Sequence, residues 1–395
     1  MSARAYFDHA ATTPLGPEAA EAMARALRDF GNPSSPHSFG REARRLVEDA
    51  RAGVADLVGV APEEIIFTSG ATESNNAVVA WAGRPGRRLV TSAVEHPSLL
   101  APARRLAESG GKVVVLGVDP SGKIDPAEAG KAAADAGAPI PSPSATGAAL
   151  ALVSVMLANN ETGVIQPAAE VAAAVRAAGA LFHTDATQAV GRVPVDLGKL
   201  EADLASFSSH KFNGPKGAGA LFVRRGVFIE PLLVGGEQES GRRAGTLNVP
   251  AIAGMGAAAV AAAAGLEERA AAVAALRDRL ERGILAAVPR AAVNGPPAPR
   301  LPGHLNVTFP HADAEGILIG LDLEGIAASA GSACSSGNLE PSHVLKAMGL
   351  FPEATRSTVR FSLGAGNTEA EVDRVIAVVA AVVARLRAVS PSWTP

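Results

Sequence analysis

The sequence predicts an α/β protein with a large domain, built on a mostly parallel seven-stranded sheet, and a smaller α+β domain. Three observations carry that prediction. The 395 residues exceed one ordinary core and suit two, at roughly 100–200 residues each. Hydrophobic residues make up 48% of the chain but aromatic ones only 4%, so Ala, Val, Leu and Ile must fill the interior, which suits a buried sheet covered by helices. From Glu64 to about Arg225, short β-prone runs alternate with longer Ala-rich amphipathic ones, the pattern of parallel strands joined by helical crossovers.

The strand candidates of the large domain are Ile65 to Thr68, Arg88 to Thr91, Lys112 to Leu116, Ala151 to Leu157, Ala180 to Thr184, Asp203 to Phe207 and Gly219 to Val223. The Ala-rich stretch from about Ala251 to Val288 reads as one helix that leaves this sheet for the second domain. There, strands are expected at His304 to Phe309 and Thr358 to Leu363, with helices near Ala314 to Leu323 and Glu369 to Leu386. The expected division is 15–255 for the large domain, with 1–14 and 256–395 forming the small one, because the first dozen residues precede the large domain's helices. Three prolines at alternate positions in Ala138 to Ser144 can neither continue a helix nor donate to a sheet, so an exposed connection is expected there.

The net charge of −3, with no long basic run, implies neither a nucleic-acid partner nor an anionic membrane. No signal-like N-terminus and no uncharged apolar run of about 18 residues occurs, so a cytoplasmic protein is expected. A single cysteine, Cys334, excludes an intrachain disulfide and an all-cysteine metal site. It is either a small buried hydrophobe or a reactive thiol.

In open α/β sheets ligands collect beyond the carboxyl ends of the strands, and the polar clusters of this chain follow the strand candidates. Ser208-Ser209-His210-Lys211 precedes Gly214-Pro215-Lys216-Gly217, an arrangement that aims an amine into a cleft while nearby donors hold a phosphate. An amine whose pKa is lowered by burial or neighbouring cations forms a Schiff base with an aldehyde cofactor. Asp185 ends a strand where a protonated ring nitrogen would need an anion, although a short acidic residue there also serves as a helix cap. Ser69-Gly70-Ala71-Thr72-Glu73 opens a helix whose positive end can cradle a phosphate, as any glycine-containing strand-to-helix turn can.

Ordered motifs through nearly the whole chain resemble the cysteine desulfurase family, in the class V aminotransferase group of fold-type I pyridoxal phosphate (PLP) enzymes. They are Tyr6-Phe7-Asp8-His9-Ala10-Ala11-Thr12-Thr13-Pro14, Phe30-Gly31-Asn32-Pro33-Ser34-Ser35, Phe67 to Asn75, Asn159-Asn160-Glu161-Thr162-Gly163, Gly241 to Thr246, Ser332-Ala333-Cys334-Ser335-Ser336 and Arg360-Phe361-Ser362-Leu363-Gly364. The resemblance implies that Lys211 bonds the cofactor aldehyde, Asp185 pairs with the ring nitrogen and Gln188 hydrogen-bonds the ring oxygen. Ala71, Thr72, Ser208 and His210 would take the phosphate, and Thr246 would reach the phosphate of a neighbouring subunit in a homodimer. His96 would stack on the ring and move protons. Asn160 would touch both cofactor and substrate, and Arg360 would grip the amino-acid carboxylate through two parallel bonds.

The segment around Cys334 resembles the subgroup of nitrogen-fixation and housekeeping desulfurases, in which the thiol rides on a flexible loop. The implied activity converts L-cysteine to L-alanine, with the sulfur captured as a persulfide on Cys334 and passed to an acceptor, such as an iron–sulfur scaffold protein. No resident metal is implied, but the persulfide would offer Cys334 as a ligand to an iron–sulfur centre. A selenocysteine lyase or cysteine sulfinate desulfinase on the same fold is the alternative reading, and neither would need Cys334. Two features depart from the family pattern: the Pro/Ser stretch near Pro141, and a C-terminus at Ser390 to Pro395 without the housekeeping enzymes' longer tail.

Overall fold

Among the described residues, twelve strands and their helices are arranged about a seven-stranded sheet and, separately, a three-stranded one. In chain order the strands are β1 Ala5–Tyr6, β2 Ile65–Thr68, β3 Arg87–Ser92, β4 Lys112–Leu116, β5 Leu150–Ser154, β6 Leu181–Asp185, β7 Leu204–Ser208, β8 Gly219–Val223, β9 Ala292–Val293, β10 His304–Thr308, β11 Ile326–Ala327 and β12 Thr358–Ser362. The structure is a computed structural model that describes residues 4–135, 150–330, 341–391 and 393. Cys334 and the Ala138 to Ser144 stretch lie outside the described residues.

All seven strand candidates of the large domain enter one sheet, in the order β2-β8-β7-β6-β5-β3-β4. Only β8 runs against its neighbours; the other pairs are parallel. Strands such as Ile65-Ile66-Phe67 and Leu204 to Phe207 are buried throughout, because helices cover both faces and leave no solvent side to a strand. On one face the helices Ser38–Val58 and Val249–Ala263 pack through Val47, Val54, Ile252 and Met255 onto Phe67, Ala205 and Phe207. The opposite face is closed by the helices Ala71–Ala82 and Pro97–Glu108 through Val78, Trp81 and Leu99.

The register aligns the functional ends. Asp185 pairs with Ser206, while Ser208 and Thr68 both face Gly219, so β2, β6 and β7 finish at one edge of the sheet. The β5 ladder stops at Ser154, short of the expected Leu157. Beyond it the chain turns back so that Ala158 bridges to Ile165, with Asn159, Asn160 and Glu161 between them.

The stretch expected as one helix from Ala251 to Val288 is two, Val249–Ala263 and Leu266–Ala287, bent by 77°. Gly265 at the break has φ of +62°, a left-handed conformation that ordinary side chains disfavour and glycine accepts. The second helix joins Ala314–Leu323 and Glu369–Ala388 over the antiparallel sheet β12-β10-β9. Phe7, Leu280, Val307, Phe361 and Val379 form that core, and the N-terminal β1 pairs in parallel with β11 beside it. No single helix among the described residues is long and apolar enough to cross a membrane.

Candidate active site

At the shared edge of β2, β6 and β7 lies a cavity of about 220 Å³. Nine of the sequence candidates line it: Ala71, Thr72, His96, Asn160, Asp185, Gln188, Ser208, His210 and Lys211. Arg360 adjoins it, because its Nη1 donates to the Asn160 carbonyl at 2.9 Å. Thr246 is exposed and does not line it.

One wall is the turn between β2 and the helix Ala71–Ala82. Gly70 at the helix start has φ of +153°, which glycine tolerates, and a side chain on Gly219 would come within 2.5 Å of the Gly70 Cα. Two glycines therefore let β8 and this turn approach closely enough for Ser208 Oγ to accept from the Ala71 N–H at 2.7 Å. Glu73 secures the turn from outside by accepting from Ser69 N and from Arg243 Nε. His210 stands beside it, with Nδ1 3.1 Å from Thr12 Oγ1. Burial, reinforced by Lys211, Lys216 and Arg192, pushes its pKa down to about 4, so it is neutral at physiological pH.

Asp185, the last residue of β6, is only 4% exposed. Its carboxylate accepts from Thr187 N at 3.0 Å and from Asn75 Nδ2 at 2.8 Å. No helix follows Asp185, so the first of these bonds closes a turn instead of capping a helix, and the second is a contact 110 residues away in sequence.

Lys211 Nζ donates to the carbonyls of Ala10 and Ala11 at 2.6 and 2.7 Å. Carbonyl acceptors favour an ammonium, yet its pKa is lowered to about 7 because burial dominates and the Arg192 and Arg360 cations add to it. An amine of that basicity is largely available as a nucleophile near neutral pH.

His96 sits at the start of the helix Pro97–Glu108, with Nδ1 2.8 Å from Ser98 Oγ, and burial lowers its pKa. Arg360, on β12, also pairs with Asp8 Oδ1 at 2.7 Å. Behind Lys211, Arg192 donates to Gln188 Oε1 at 2.5 Å and to the His9 carbonyl at 2.6 Å. Asp8, Asn75, Ser98 and Arg192 carried no role in the sequence reading. Asp8 and Asn75 stood inside quoted motifs, so a signal existed for them; for Ser98 and Arg192 only proximity to His96 and Gln188 could have served.

These residues fit a phosphate-bearing aldehyde with a basic ring nitrogen. The cavity joins a helix start flanked by hydroxyls, a weakly basic lysine and a buried carboxylate. Thr187 Oγ1, which belongs to the cavity lining, is buried with no hydrogen-bond partner among the described residues, an atom that a polar ligand would satisfy.

Comparison with known proteins agrees with the geometry. The family model described as aminotransferase class-V matches residues 5–375. The chain is 48% identical over 394 residues to a cysteine desulfurase of Cereibacter sphaeroides, covering 98% of each protein. It is 46% identical over 390 residues to cysteine desulfurase 2 of Trichormus variabilis, covering 98% of this chain and 94% of that one. The solved structure of a NifS-like protein superposes with a TM-score of 0.87 at 37% identity, over 97% of this chain and 100% of the other. The chain belongs to the class-V aminotransferase family, among its cysteine desulfurases.

Proposed function

We propose that this protein takes the sulfur of L-cysteine, holds it as a persulfide on Cys334 and releases L-alanine. The observation that carries the reading is the meeting of a lysine with a pKa near 7, a buried carboxylate and a histidine in one cavity, in a chain of this family. The family's enzymes use PLP. Here Lys211 would bond its aldehyde, Asp185 its ring nitrogen and Gln188 its ring oxygen, while Ala71, Thr72, Ser208 and His210 would hold its phosphate. When bound, the cofactor supplies an electrophilic carbon for an amine and a ring that accepts the electrons released at the substrate's α-carbon.

The chain's own groups do the rest. Arg360 and Asn160 hold the amino acid, the guanidinium gripping its carboxylate. Lys211, neutral at working pH, takes the α-proton. The Cys334 thiolate attacks the substrate sulfur, forming an S–S bond as the Cβ–S bond breaks; the electron pair stays with carbon, which is reduced, while the transferred sulfur is oxidised to the persulfide level. His96 supplies a proton on the path to alanine. Thr246, exposed and not among the residues lining its own cavity, suits a role at a second subunit's phosphate in a homodimer. The persulfide then passes to an acceptor thiol or an iron–sulfur scaffold protein. A working thiol suits the reducing cytoplasm.

Mass spectrometry of cysteine-treated protein tests the reading. Wild type is expected to gain one sulfur atom on Cys334 and form alanine, and Cys334→Ser to keep its cofactor but drop to background in both. Undiminished turnover in Cys334→Ser would sink the proposal and favour a thiol-independent lyase.

A further inference from the structure

Asn75 lies wholly buried in the helix Ala71–Ala82, and its Oδ1 has no hydrogen-bond partner among the described residues. An aliphatic side chain of similar shape would avoid that unsatisfied carbonyl. What the position obtains from an amide is therefore its NH₂ group. Nδ2 donates one hydrogen to Asp185 Oδ2 at 2.8 Å and the other to Ser98 Oγ at 2.9 Å. The amide is not turned over, since Oδ1 would then face a carboxylate oxygen, acceptor against acceptor.

With both amide hydrogens committed, Ser98 Oγ is an acceptor towards Asn75. Its own single hydrogen is left for His96 Nδ1, 2.8 Å away. The Ser98 N–H reaches the same nitrogen at 3.1 Å. Nδ1 thus receives two donors and must present a lone pair, so the hydrogen of the neutral imidazole sits on Nε2. Burial lowers the pKa of the ring, which favours its neutral form.

We propose that Asn75 is a positioning residue that reinforces the tautomer of His96: by orienting the Ser98 hydroxyl it adds a second donor to the one the Ser98 N–H supplies, and so ties the Asp185 carboxylate to a ring presenting an Nε2 hydrogen. Use of that hydrogen in proton delivery rests on the cysteine desulfurase reading, whereas the tautomer itself does not. The carboxylate expected to hold the cofactor and the histidine expected to move protons are then oriented by one amide. Loss of Asn75 frees the Ser98 hydroxyl to rotate and accept from a protonated Nδ1, leaving the Ser98 N–H alone to hold the Nε2–H form.

The test uses holoenzyme with ¹⁵N-labelled histidine, read by long-range proton–nitrogen NMR. In wild type His96 is expected as the Nε2–H tautomer. In Asn75→Leu the ratio of Nε2–H to Nδ1–H should fall about five-fold or more, the scale of one net hydrogen bond. Under the functional reading kcat should fall further than KM changes. Ser98→Ala and Ser98→Thr form a second pair should Asn75→Leu not fold: alanine should lower the ratio and threonine should preserve it. A wild-type Nδ1–H tautomer, or an unchanged ratio in both Asn75→Leu and Ser98→Ala, overturns the proposal. A shifted tautomer with unaltered kcat overturns its catalytic part. Wild-type protein inert towards cysteine would sink the functional reading and leave the tautomer result standing.

Discussion

The lowered basicity of Lys211 is open to direct measurement on the cofactor-free protein. An ordinary lysine, with a pKa near 10.4, has roughly one amine in a thousand unprotonated at pH 7.5. With its pKa lowered to about 7, most Lys211 amines are unprotonated there. The gain in free amine is about three orders of magnitude; a less basic amine is a weaker nucleophile, which reduces the net advantage to roughly ten- to a hundred-fold. Competitive acetylation from pH 6 to 11, read by mass spectrometry against an unstructured lysine peptide, should give Lys211 a midpoint about three pH units below the standard. The causes can be separated by sign. Arg192→Met removes a cation that lowers the pKa, so the midpoint should rise, while Asp185→Asn removes an anion that raises it, so the midpoint should fall further. Burial is the first cause, so neither change should restore the ordinary value. Stability follows with a defined sign: between pH 7 and 10 the unfolded chain binds more protons at this lysine than the folded one, so its contribution to stability rises with pH across that window. A Lys211 midpoint equal to that of the peptide would refute the reasoning.

Two further outcomes follow from packing and from the guanidinium. Gly219→Ala places a Cβ 2.5 Å from the Gly70 Cα and 2.8 Å from the Phe207 carbonyl, backbone atoms that cannot swing aside, so thermal unfolding should show a loss of about 1–3 kcal/mol and cofactor titration a weaker affinity. Arg360→Lys surrenders the planar fork that reaches both Asn160 O and Asp8 Oδ1, and steady-state alanine formation should show KM for cysteine raised roughly ten-fold or more, with a smaller change in kcat.

The large sheet was legible because its strands are short apolar runs ending in polar clusters, and those clusters mark the edge where ligands gather. Boundaries and breaks were less so. The Ala251 to Val288 stretch carries an Ala-rich, helix-compatible pattern throughout, and Gly265 in its middle gives no sign by composition alone that it turns the axis by 77°. At the site, Lys211, Asp185 and His96 could be found from the segments that hold them. Arg192 could not, and the motif that holds Asp8 gave no sign of its partner. Asp8 acquires its partner only when β12 brings Arg360 to it from 352 positions away. Arg192 looks like an ordinary surface cation until the fold sets its donors on Gln188, His9 and the Lys211 carbonyl.

That placement of Arg192 bears on what the cavity selects. Among the described residues no carboxylate lies in ion-pair range of it, and its hydrogen bonds go to neutral oxygens. Arg360 is paired with Asp8, and Asp185 is held by uncharged donors. Lys211 therefore stands near two arginines whose fields oppose its protonation, with Asp185 and Asp8 only partly offsetting them. A site with this balance keeps its amine ready for an aldehyde and favours ligands that bring negative charge, which is the character shared by a phosphate and an amino-acid carboxylate. The same cations that lower the pKa of Lys211 thus favour the anionic partners on which its chemistry depends.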